Sequence, residues 1–276
     1  MNAAGPERAL RFSASDPEGA AAALRRHGLV IVDGLWPAQR IDRFAGALAQ
    51  TYPEIFDARQ KGLDQTHVVG ELRHISPIVF GGDLACRDMV LHPQIESLLR
   101  APLGDDYVFE ALGVIQSLPG APRQHRHADG SPLFGLPQLD RIAPAFAITV
   151  VIPLVAMDSR HGTTGFWPGS HLAPDAEEWS DADMVAPLVP VGSAILWDYR
   201  VKHCGLANRG DRVRPLLYVT ACRPFWIDAG NFERGRDLKL LVDPAVLDGL
   251  GEQHRGRFAR AQLFAAGERP WRVPGG

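Results

Sequence analysis

Between residues 107 and 222 the chain breaks into short apolar runs separated by turn residues. The runs 107–118, 146–154, 186–191, 194–197 and 213–222 read as strands. Pro119-Gly120, Gly162, Pro168-Gly169, Gly192 and Gly210-Asp211 read as the turns between them. Many short strands in one stretch point to a β-sandwich or a jelly-roll barrel. The flanking text is more helical. Asp16 can cap a helix that runs to His27, with Pro17 in its first turn and Gly28 as its stop. Residues 29–32 form a short apolar strand, and Pro37 opens a second helix with Ile41, Phe44 and Leu48 at helical spacing. Residues 1–16 read as a loose lead-in, 53–85 as a long surface or lid segment, and 94–100 as a short helix. No linker divides the chain. The expectation is one domain over 1–276, with a helical part at about 1–104, a barrel at 105–226 and a helix and loop part at 227–276.

Composition sets outer bounds. Hydrophobic residues make up 46% and charged residues 22%, so the chain can bury a core. A net charge of -3 gives no basic excess for nucleic acid or an anionic membrane. The longest apolar run, 145–156, is too short to span a bilayer, and 1–11 lacks the layout of a secretory signal. Three cysteines without a C-x-x-C pair indicate neither a disulfide framework nor a cysteine zinc site. The expectation is a cytoplasmic protein, monomer or homodimer, acting on a small molecule and not on nucleic acid or membrane.

Chemistry-bearing residues concentrate in two places. The first is Gln124-His125-Arg126-His127-Ala128-Asp129. In an extended segment, residues two apart face the same side, so His127 and Asp129 can both reach one metal ion. A second histidine from a distant strand would complete a set of two imidazoles and one carboxylate. That set leaves three positions open, as a non-haem Fe(II) oxygenase needs for a chelating co-substrate and O2. By itself H-x-D is a common surface pattern. The second place, 192–208, strengthens it: an apolar strand leads to His203, Gly205 follows, and Arg214 lies eleven residues beyond His203 at the start of the next strand. An antiparallel neighbour can bring that guanidinium towards the metal, where it would grip the far end of a dicarboxylate. Arg212 shares its face and is the rival anchor.

These segments, with Gly162, Thr164 and Pro168-Gly169-Ser170-His171 between them, resemble the phytanoyl-CoA dioxygenase family of Fe(II)/2-oxoglutarate-dependent oxygenases. The resemblance covers roughly residues 105–226, with a weaker match around 27–35. It implies a mainly β fold with flanking helices, built on a double-stranded β-helix (jelly-roll, cupin-like) core. It implies His127, Asp129 and His203 as iron ligands and Arg214 as partner of the distal 2-oxoglutarate carboxylate. It also implies Gln124 and Thr164 near the co-substrate. The activity implied is oxidation, chiefly hydroxylation, of a C–H bond with release of succinate and CO2. Where family members usually carry Asn before the turn glycine, this chain has His161. Retention of Asp129 argues against halogenation, which typically needs that position vacated.

Several residues have plainer readings. His125 shares a face with the pair and could ligate in a cupin-like H-x-H pattern, but no glutamate follows in 130–140; a pocket contact fits better. His171 reads as a turn residue, Trp197, Phe166 and Trp226 as core, and Cys204 as a small buried side chain. The apolar loop 130–143 favours a hydrophobic substrate and a lid role, and no basic cluster suits coenzyme A phosphates. The rival readings are a cupin-type metalloenzyme without 2-oxoglutarate and a non-catalytic jelly-roll binding protein.

Overall fold

The computed structural model describes residues 6–58, 67–130, 132–173, 179–232 and 237–271. Eight strands form the principal sheet. Their order is β1 (Arg11–Ser13), β2 (Leu29–Asp33), β9 (Ala194–Asp198), β7 (Ala147–Pro153), β11 (Arg214–Cys222), β6 (Val108–Ser117), β4 (Arg73–Pro77) and β3 (His67–Gly70). All pairings are antiparallel except β1 with β2. A second layer pairs β8 (Thr164–Phe166) with β10 (His203–Gly205). It is widened by a bridge from His127 to His203 and another from Phe166 to Val185. Three short strands, β5 (Val79–Phe80), β12 (Leu241–Val242) and β13 (Gln262–Leu263), make a small parallel sheet that ties the C-terminal part to the body. Two facing layers of this kind are a jelly roll.

Every residue of β7, β9 and β11 is buried, because the principal sheet is covered on both faces. On one face α1 (Pro17–His27), α2 (Ala38–Thr51) and α3 (Pro93–Leu103) lay Leu24, Phe44, Leu48 and Leu98 against Val150, Leu196 and Leu217. On the other, Val151, Ile195, Trp197 and Leu216 meet Phe166 and Val185 of the second layer. The α1 boundaries follow the chemistry of the text. Asp16 accepts from the Gly19 amide at 2.9 Å, and Gly28 takes a φ of 74° to end the helix. A Cβ at Gly28 would run into Val201 and His171, so glycine also permits the close seat of α1 on the barrel.

Three local expectations change. The segment 53–85 is not irregular throughout: 67–80 supplies β3, β4 and β5, while 59–66 lies outside the described residues. Part of the lead-in is structured too, with Leu10 buried and β1 paired on β2. Residues 186–191 form no strand. Pro187 and Pro190 lack the N–H a ladder requires, and an isolated Met157–Val189 bridge stands in its place. No helix among the described residues is long and apolar enough to cross a membrane.

Candidate metal and co-substrate site

Strand register builds the site in rows on the inner face of the principal sheet. Arg214, Ser117 and Arg73 stand side by side on β11, β6 and β4. One step along are Leu216, Ile115 and Ile75. Next come Val151, Tyr218 and Gly113, and last Trp197, Thr149 and Thr220. The cavity over these rows is about 660 Å³, the size of a small-molecule site, and has a cationic floor, an aliphatic belt and a hydroxyl-bearing rim.

His127, Asp129 and His203 converge beside that rim. One ligand atom from each lies within 4.8 Å of the others. The His127 and His203 backbones exchange both hydrogen bonds, at 3.0 and 2.7 Å, so the β10 bridge fixes the spacing of the two imidazoles. Each ring places Nδ1 3.0 Å from a carbonyl two residues earlier, that of His125 or Val201. As donors there, the Nδ1–H groups leave both Nε2 atoms free to bind a metal. Asp129 is held by its other oxygen: Trp197 Nε1 donates to Oδ2 at 2.8 Å and the Thr149 hydroxyl at 3.2 Å. Its Oδ1 is 3.3 Å from His203 Nε2. Burial and the neighbouring His203 push the His127 pKa down, whereas the Asp129 carboxylate holds that of His203 up despite burial. The facing imidazoles keep Asp129 below the usual carboxylate range against the opposing effect of burial. Neutral nitrogen donors and an ionised carboxylate are what a divalent iron requires, so the donor set fits.

The floor fits a dianion. Arg214 is 2% exposed; its Nη1 donates to the Gly162 carbonyl at 3.2 Å and its Nε has no partner. Arg73, also 2% exposed, donates to the Pro122 and Leu206 carbonyls at 2.6 and 2.5 Å, again with Nε unpartnered. No carboxylate pairs with either among the described residues. Burial pushes the Arg73 guanidinium down to about 10. Burial, then repulsion by Arg73, pushes Arg214 down to about 9. Two buried cations without counter-charge are costly unless an anion binds between them.

Of the remaining residues singled out from the sequence, Thr164 lines the cavity. Gln124 lines it too, but its amide is committed to backbone: Oε1 accepts from Gly205 N at 2.7 Å and Nε2 donates to Val69 O at 2.5 Å. A Cβ on Gly205 would stand 2.6 Å from Gln124 Oε1 and 2.9 Å from Arg73 Nε, which explains the glycine two residues after His203. His125 lines the cavity outside the three-residue cluster. Arg212 is exposed and does not line it, whereas Arg214 does. His161 sits between Asp158 and Asp211. His171 lies 3.2 Å from the Arg25 carbonyl, and Trp226 packs on Phe146 and Tyr199. No described residue of the loop 132–143 lines the cavity; it is folded on its own Asp140, which accepts from the Phe134 and Leu136 amides at 2.9 Å.

Sequence reasoning missed Arg73, hidden in a stretch read as irregular, and the hydrogen bond that makes Trp197 more than a core residue. Replacing Trp197 with Phe keeps most of the packing and deletes the donor to Asp129. Fe(II) affinity is expected to fall about 10- to 100-fold, measured by anaerobic titration.

A jelly roll that gathers two imidazoles and a carboxylate above a cationic floor is the frame of an Fe(II)/2-oxoglutarate oxygenase. The chain belongs to the phytanoyl-CoA dioxygenase (PhyH) family, whose sequence model it matches over residues 24–216. The family's cofactors are Fe(II), 2-oxoglutarate and O2. The chain is similar to dioxygenase trt7 of Aspergillus terreus, 26% identical over 204 residues covering 72% of this chain and 70% of that protein. Two solved structures share the fold. The non-haem alpha ketoglutarate dependent epimerase SnoN from nogalamycin biosynthesis superposes with a TM-score of 0.57 at 21% identity, over 82% of this chain and 90% of that one. The carbocyclase SnoK from the same biosynthesis gives 0.53 at 20% identity, over 75% and 83%.

Proposed function

We propose that His127 Nε2, His203 Nε2 and Asp129 Oδ1 hold the iron, that Arg214 takes the distal carboxylate of 2-oxoglutarate, and that the protein oxidises a C–H bond of a hydrophobic small molecule. The convergence of the three donor atoms at the rim of a cavity floored by Arg214 carries this reading. When bound, iron and 2-oxoglutarate supply the oxidising chemistry, in which O2 and the co-substrate are consumed to succinate and CO2 as the substrate is oxidised. The chain's own residues bind, orient and exclude water. The Asp129 carboxylate is oriented by Trp197 and Thr149, and the imidazoles by their Nδ1 contacts. Thr164 adds a hydroxyl beside the co-substrate, and Gln124 fixes the walls around it through Val69 and Gly205.

Ile75, Ile115, Val151, Leu216 and Phe232 line the cavity and suit an apolar substrate. Hydroxylation is the simplest outcome; the similar SnoN and SnoK are an epimerase and a carbocyclase. The principal sheet draws strands from residue 11 to residue 222, which supports one folding unit. Titrating 2-oxoglutarate into the anaerobic Fe(II) protein tests the reading. A weak visible charge-transfer band, followed in air by O2 uptake matched to succinate, is expected. A protein that binds iron but gives neither is not this enzyme.

A further inference from the structure

We propose that the end of the cavity beside Asp129 recognises a hydrogen-bond donor on the substrate, a hydroxyl or a protonated amine, and disfavours a carboxylate. This substrate chemistry presupposes the oxygenase reading of the site. Its basis is where the hydrogens of the lining residues already lie. Thr149, Tyr199 and Asn231 all line the cavity. Thr149 donates its hydroxyl to Asp129 Oδ2 at 3.2 Å. Tyr199 donates its phenol to Asp228 Oδ2 at 2.5 Å. Asn231 Nδ2 donates to the Asp129 carbonyl at 2.7 Å and to the Asp228 carboxylate at 3.0 Å.

A hydroxyl whose hydrogen is held elsewhere can only accept, and so can the Oδ1 of an amide whose N–H groups are engaged. Asn231 Oδ1 has no donor among the described residues. Asp228 enforces the arrangement. It is 3% exposed and pairs with no cation among the described residues, so it relies on donors from Tyr199, the Asn231 amide and Asn231 Nδ2. Releasing the Tyr199 hydrogen would leave that buried charge short of a partner. The Tyr218 and Thr220 hydroxyls and the His125 ring, also lining the cavity, can serve either way. The cavity's two guanidiniums are at the opposite end, with Arg214 four residues from Tyr218 along β11. A substrate carboxylate placed against Tyr199 and Asn231, away from the metal and co-substrate positions, would therefore meet acceptors and the Asp228 carboxylate. Asp228, which holds the Tyr199 hydrogen, and Asn231, which supplies the amide acceptor, lie beyond the 24–216 region matched by the family.

The test is anaerobic calorimetry on the protein loaded with Fe(II) and 2-oxoglutarate, using 2-indanol, 2-aminoindane and indane-2-carboxylate as probes of one shape. Both donor probes are expected to bind at least about ten-fold more tightly than the carboxylate. Tyr199→Phe removes one acceptor and should narrow the ratio. Asp228→Asn is the sharper variant. Its Oδ1 keeps the Asn231 amide, so its NH2 replaces Oδ2 opposite Tyr199 and donates to the phenol oxygen. The phenol hydrogen is then free to enter the cavity, and the ratio should shift towards the carboxylate by about ten-fold. A merely structural role for Asp228 weakens all probes alike. The proposal is overturned if the carboxylate binds as well as the donors, if neither donor probe binds at millimolar concentration, or if a folded Asp228→Asn protein keeps the original ratio. If that variant does not fold, an unchanged ratio in Tyr199→Phe overturns it. The charge-transfer band is recorded before each titration, and its absence sinks the oxygenase reading separately.

Discussion

Replacing His203 with Ala should lower Fe(II) affinity by at least about 100-fold, more than the loss expected for an outer contact such as Trp197. His203 is the central member of the site. Its Nε2 lies 3.3 Å from Asp129 Oδ1, its ring is 4.5 Å from that of His127, and its strand carries the bridge that positions His127. Removing the imidazole leaves one nitrogen and one carboxylate, too few to hold iron against water. The backbone bridge does not depend on the side chain, so the fold should persist, as circular dichroism would show. His125→Ala is the matched control. His125 neighbours the same site at 5.3 Å from the His127 ring but stands outside the ligand cluster, so iron should remain bound. Loss of iron in His125→Ala with retention in His203→Ala would reverse the assignment.

The second large effect is at the floor. Arg214→Ala should weaken 2-oxoglutarate binding by about 2–5 kcal/mol, roughly 30-fold to a few thousand-fold, the cost of truncating one side of a buried charge pair. Arg212→Ala, on an exposed side chain, should leave it unchanged. The same guanidinium gives a linked signature in stability. Burial, and then Arg73, push its pKa down from the ordinary guanidinium range to about 9. The unfolded chain therefore holds this proton more tightly. The contribution is destabilising throughout below about pH 9, and is relieved as pH rises from there towards the ordinary guanidinium range. Near neutral pH the protein without co-substrate carries the full penalty. Binding of the dianion removes it and adds its own mass-action stabilisation. Adding 2-oxoglutarate to the Fe(II)-loaded protein should raise the melting temperature of the unaltered protein further and leave that of Fe(II)-loaded Arg214→Ala nearly unmoved. An equal rise in both would place the anion elsewhere.

Much of this site was legible because its chemistry depends on spacing. Alternation puts His127 and Asp129 on one side, and an apolar strand must deliver His203 where the sheet needs it. The α1 helix was equally plain, since Asp16 and Gly28 act through local backbone geometry. What escaped notice depends on burial against the usual preference. Arg73 and His74 sit buried in β4, where charge and a nearby glycine suggested a solvent-facing loop. Gln124, expected near the co-substrate, lines the cavity and also ties two backbone segments together, a pairing no local pattern announces. Trp197 looks like core in sequence because its apolar body is; only its N–H, aimed at Asp129, belongs to the site.

Anomalous diffraction at the iron edge, from crystals grown anaerobically with Fe(II) and 2-oxoglutarate, tests the assignment most directly. A single peak bonded to both Nε2 atoms of His127 and His203 and to Asp129 Oδ1, with the far carboxylate of the co-substrate on Arg214, is the expected result. A peak away from His203, or a co-substrate whose distal carboxylate leaves Arg214 unpaired, would contradict it.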